Sequence, residues 1–125
     1  MSFWSTLTKV RSHRGKETER KFLESLTDSS NLPDWIKGVE KASKEDDRRG
    51  IDAIVNTDVG KIFVQIKSSH AGKRKFEKRM GKNPNLHIAV VVISPGDEDH
   101  VVRGKSIEAI SEMRDKILQH RSANN

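Results

Sequence analysis

The chain has 125 residues, enough for one domain with a modest core. Only 33% of residues are apolar and 34% are charged, no apolar run approaches the 18 residues of a membrane span, and cysteine is absent. Disulfides, thiolate nucleophiles and cysteine-based zinc sites are therefore excluded, and the net charge of +6 favours polyanionic partners.

The opening "MSFWSTLTKVRSHRGK" has too short an apolar patch ahead of its positive charges for a signal peptide, so a soluble cytoplasmic protein is expected. Residues 1–14 read as an N-terminal extension, 15–121 as one domain and 122–125 as a tail. Phe22, Leu23 and Leu26 at helical spacing predict a first helix from about 15 to 28. "SSNLPD" is turn chemistry. "WIKGVEKAS" is a first strand interrupted by Gly38, and "KEDDRRG" reads as a polar loop. "GIDAIVNTDVGKIFVQIKSS", residues 50–69, is a hairpin. "AGKRKFEKRMG" is a basic helix with Phe76 and Met80 inward and Gly81 as its stop. The continuous apolar run from Leu86 to Ser94 has the mark of a central strand covered on both faces. Ile107, Ile110, Met113 (or Arg114) and Ile117 form the apolar stripe of a C-terminal helix. The order α-β-β-β-α-β-α gives the fold class α/β, a layered core with a central mixed sheet flanked by helices.

The hairpin carries the chemistry. With the turn centred between Asp58 and Val59, paired residue numbers sum to 117, which sets Asp52 opposite Gln65 and Ile54 opposite Phe63. A register shifted by one mixes the two faces, which burial forbids. Asp52, Gln65 and Lys67 then share a face with Ile54 and Phe63. Oxygen ligands of this kind suit a hard divalent cation, and a neighbouring Lys can steady charge on a phosphate. A solvated sheet face with a surface Asp–Lys pair is the alternative. Gly50 permits close backbone approach, and the apolar neighbours on that face argue for half-buried polar groups that need a partner.

"GIDAIV" followed by "VQIK", with 12 residues between Asp52 and Gln65, resembles the PD-(D/E)XK, or restriction-endonuclease-like, nuclease superfamily. The stretch "RGKETER", with Gly15, Glu19 and Arg20, is similar to the first helix of archaeal Holliday-junction resolvases. The resemblance runs from Gly15 to about Ser94. It implies a restriction-endonuclease-like core, with Asp52 as the central metal carboxylate and Lys67 as the active-site lysine. Gln65 takes the position usually held by an acid, with the Ile66 carbonyl and Glu19 completing a site for Mg²⁺ or Mn²⁺. It further implies a metal-dependent DNA endonuclease, by analogy a homodimer. Gln in place of the acid makes the site less negative, and a nucleic-acid-binding domain without turnover is the alternative. An interaction protein that binds an acidic partner is a third.

Charge is clustered around the hairpin. Six Lys/Arg stand against two Glu from Lys9 to Lys21, and six against Glu77 from His70 to Lys82. Arg14, Lys16, Arg48, Arg49, His70, Lys73, Arg74, Lys75, Lys78, Arg79 and Lys82 are the expected phosphate contacts. Glu19 borders the buried stripe of its helix and Glu17 does not, which selects Glu19 as the helical acid. Asp46 and Asp47 read as solvated loop acids at the margin of the site. Trp4 and Trp35 read as core or subunit anchors more readily than as base-stacking groups.

Overall fold

The computed structural model describes residues 17–27, 32–80 and 87–123. Helix α1 occupies 17–27. It is followed by β1 (Ile36–Lys41), α2 (Lys44–Arg48), β2 (Ala53–Thr57), β3 (Gly60–Lys67), α3 (His70–Met80), β4 (Ile88–Val92) and α4 (Asp99–Ala123). The strands form one mixed sheet in the order β1-β2-β3-β4, antiparallel except for the parallel β3–β4 pair.

Alternation along the strands builds the layers. Ala53, Val55, Ile62, Val64, Ala89, Val91 and Ile93 join Phe22 and Leu26 of α1 and Val102, Ile110 and Ile117 of α4 in a single core. Helix α3 packs on the other face of β3 and β4, with Phe76 buried. The molecule is thus a three-layer α/β core: α1 and α4, the sheet, and α3. Trp35 packs at the border of the core, with the Arg114 guanidinium 5.1 Å above its ring.

The hairpin register is the expected one from Ala53 to Thr57, with Ile54 paired to Phe63 and Thr57 to Gly60. Its turn is closed by Thr57, whose hydroxyl donates to the Gly60 carbonyl at 2.7 Å and accepts the Val59 N–H at 3.2 Å. Gly60 takes φ +104°, open to glycine at little cost. Gly38 marks an irregularity in the β1–β2 register rather than a break in the strand.

Three expectations are corrected. The "KEDDRRG" segment is helix α2 rather than a loop. Ser43 caps it, accepting the Asp46 N–H at 3.1 Å and donating to the Asp46 carboxylate at 2.9 Å, and acids fill its first turn. No α2 residue is buried, so it has no apolar periodicity to betray it. Among the described residues, β4 lies at the border of the sheet rather than in its centre. Its apolar run reflects helices on both faces, a condition that an outer strand shares with a central one. Helix α4 begins at Asp99, well before the Ile107 stripe, and continues to Ala123, past the expected boundary at 121. Buried Ser106 extends the stripe back to Val102, its hydroxyl satisfied by the Val102 carbonyl at 2.6 Å. Gly81, Lys82 and Leu86 lie outside the described residues, as does Trp4.

Candidate metal centre

Three elements converge at the end of the sheet where β2 begins. Helix α1 buries Phe22 and Leu26, one turn apart, and this pins its orientation. Glu19 stands one turn before Phe22 on the same face, half-buried at the margin of the core. Helix α2 ends in a Schellman motif: the Gly50 N–H donates to the Asp47 carbonyl and the Ile51 N–H to the Asp46 carbonyl, each at 3.0 Å, with Gly50 at φ +85°. That cap closes the helix and delivers the chain into β2. Carboxylate oxygens of Glu19, Asp47 and Asp52 lie within 4.8 Å of one another.

Asp52 is the fixed member of this group. Its N–H donates to the Val64 carbonyl at 2.8 Å, and its carboxylate accepts the Ile66 N–H at 2.7 Å. Asp52 therefore does not oppose Gln65 directly. The regular ladder ends at Ala53 and Val64, and the chain entering from the Gly50 cap answers to Val64 a second time. Burial raises the Asp52 carboxyl above its ordinary value; the Ile66 N–H opposes this, the Asp47 charge adds to it, and the Lys67 charge opposes it. The β3–β4 bonds engage Phe63 and Lys67, so alternation turns the backbone groups of Val64 and Ile66 toward β2. The Ile66 carbonyl is consequently directed to the side on which Asp52 lies.

Gln65 and Lys67 stand on the face covered by α3. Lys67 is half-buried, its stem against Gly72 and its ammonium 5.2 Å from the Phe76 ring centroid. Gln65 is only 7% exposed, and its side-chain oxygen finds no hydrogen-bond donor among the described residues. A Cβ at Gly50 would come within 3.3 Å of that oxygen and 3.4 Å of Phe76, so a side chain there would crowd Gln65 in addition to straining the positive φ. A buried acceptor left without a donor costs about 1–3 kcal/mol.

The expected phosphate contacts divide into three groups. Arg48, Arg49, His70, Arg74, Lys75, Lys78 and Arg79 are exposed, Arg49 within 3.5 Å of Glu45 and Arg79 5.8 Å from the Phe76 ring centroid. Lys73 is half-buried and 4.0 Å from Glu77. Arg14, Lys16 and Lys82 fall outside the described residues.

Asp47, expected as a solvated loop acid, instead stands in this cluster. Its signal was present: Ser43 three residues before Asp46 and Gly50 just past Arg49 are a helix start and stop. Together they rotate Asp47 toward Asp52.

Neither a family model, nor a curated protein, nor a solved structure matches this chain. No helix among the described residues is long and apolar enough to cross a membrane.

Proposed function

We propose that this protein is a metal-dependent nuclease that hydrolyses phosphodiester bonds in DNA, in the manner of the PD-(D/E)XK enzymes whose motif its hairpin resembles. The observation that carries the reading is the meeting of carboxylates from α1, α2 and the start of β2 within 4.8 Å, with the half-buried Asp52 among them. Negative charge gathered in this way is offset by a hard cation, and oxygen-only donors suit Mg²⁺ or Mn²⁺. Glu19, Asp47 and Asp52 would hold it, with the Ile66 carbonyl and the Gln65 oxygen as further candidates. Such a cation polarises a phosphate and makes a bound water more acidic.

The chain's own groups do the rest. The Ile66 N–H orients the Asp52 carboxylate. Lys67, steadied by Gly72 and Phe76, supplies positive charge to the phosphate as its own charge grows. Arg48, Arg49 and the exposed cations of α3 hold the backbone on either side.

The uncharged, buried Gln65 supports a second reading: a DNA-binding domain on the same scaffold without turnover. Incubation with plasmid, branched and single-stranded DNA in Mg²⁺ and Mn²⁺ separates the two. Cutting that is lost in Lys67→Ala while binding persists supports the nuclease. Binding with a steep salt slope and no nicking in either metal overturns it in favour of the second reading.

A further inference from the structure

Helix α2 buries no residue, and among the described residues its side-chain bonds stay local: Ser43 with Asp46, and Arg49 with Glu45. The backbone holds it at its two ends, through the Ala42 N–H on the Asp52 carbonyl at 3.4 Å and through the Gly50 cap. A five-residue helix with no packed face is marginal by itself. The group it sends toward other elements is the Asp47 carboxylate, which meets those of Glu19 and Asp52 within 4.8 Å. Like charges so close push the helix away. A hard cation among them reverses the sign, because the same carboxylates are then held together as its ligands. The Gln65 oxygen, buried and without a donor among the described residues, lies 3.3 Å from where a Gly50 Cβ would stand, at the turn between Asp47 and Asp52. A donor-free oxygen there is a second, independent mark of a bound cation or its water.

We propose that Asp47 is a positioning residue: cation binding draws α2 in through Asp47 and sets Arg48 and Arg49 against a DNA phosphate, so that cation and DNA bind cooperatively. The inference rests on the nuclease reading for its cation site and its DNA. Arg48 and Arg49 follow Asp47 directly, and both are exposed. Among the described residues Arg48 has no ion pair, and Arg49 has the open 3.5 Å contact with Glu45. Where these guanidinium groups reach is therefore set by where the helix stands. With α2 released, they are spread over many positions and add little to binding. With α2 docked, both are presented beside the cleavage site at a smaller entropic cost. Helix α3 differs, since its buried Phe76 fixes Lys75 and Lys78 with or without a cation.

The test is the binding of a short fluorescent DNA duplex to the full chain, kept from cutting by Lys67→Ala, in Mn²⁺ and in chelator. Adding Arg48→Ala with Arg49→Ala is expected to weaken binding about tenfold in Mn²⁺ and hardly at all in chelator. Adding Lys75→Ala with Lys78→Ala instead is expected to weaken it equally in both. Without DNA, Mn²⁺ is expected to slow hydrogen exchange at the Gly50 and Ile51 amides about tenfold in wild type, and not in Asp47→Ala. An equal loss from the two arginines in Mn²⁺ and in chelator overturns the proposal, because charge neutralisation alone has that result. So does unchanged exchange in a wild type whose melting temperature Mn²⁺ raises, an outcome that leaves the nuclease's cation site standing. A wild type that Mn²⁺ neither stabilises nor protects overturns both.

Discussion

The two ends of the β2–β3 hairpin each carry an aspartate, and the protein treats them in opposite ways. At the turn, Asp58 takes a bidentate grip from Arg114 at 2.9 and 2.7 Å, and this hydrogen-bonded cation holds its carboxyl below the ordinary value. Arg121 adds a bond to the Val59 carbonyl at 2.8 Å, so the far half of α4 closes over the turn. At the other end, Asp52 has the Ile66 N–H as its backbone donor, Asp47 and Glu19 for neighbours, and a carboxyl pushed upward by burial. Matched charge finishes a structure. A carboxyl raised by burial beside other acids, kept in place by rigid elements on three sides, is where chemistry is expected.

The largest test of this contrast is catalytic. Lys67→Ala and Asp52→Asn are each expected to lower the DNA cleavage rate by about 10²–10³-fold, measured on nicked plasmid, while Asp58→Asn leaves it near wild type. Equal losses from both ends would erase the distinction.

Next comes the response to cations. Mn²⁺ at about ten times its dissociation constant should raise the melting temperature by about 5 °C, and chelation should reverse it. Glu19→Gln and Asp47→Asn should each diminish that rise, and an undiminished rise in Asp47→Asn would remove α2 from the site. Gln65→Glu should tighten Mn²⁺ binding in the same titration; unchanged affinity would place Gln65 outside the metal's reach.

A smaller effect separates the ends by pH without any metal. The raised Asp52 carboxyl favours the folded state below its unfolded value, and that contribution is lost as pH rises through the folded one. Asp52→Asn should therefore raise the metal-free melting temperature at neutral pH. The lowered Asp58 carboxyl has the opposite sign: its contribution is present above the ordinary carboxylate range and is lost as pH falls through the folded value. Asp58→Asn should cause the slightest change of the set, a small loss at neutral pH that vanishes in acid, because the pair is open to solvent.

Much of this was legible in the residues. The alternation of Ala53, Val55, Ile62 and Val64 against Ile54 and Phe63 was sufficient to set the hairpin register, because a slip by one would bury the wrong face. Glu19 was separable from Glu17 by its place beside Phe22 and Leu26. Helix α2 was harder to see, since a helix that buries nothing shows only its caps. The exchange of the expected Asp52–Gln65 pair for an Asp52–Ile66 bond was not visible at all. It depends on the angle at which the chain leaves the Gly50 cap, and no periodicity records that angle.

By itself, then, the sequence determined the layered α/β class and the strand faces, because burial forces apolar residues into periods that local geometry sets. Only the tertiary structure decided that, among the described residues, β4 lies at the sheet border, Asp47 joins Glu19 and Asp52, and the Gln65 oxygen stands without a donor. Those facts depend on how helices remote in the chain pack across one sheet, and a pattern of neighbours along a chain carries no measure of that distance.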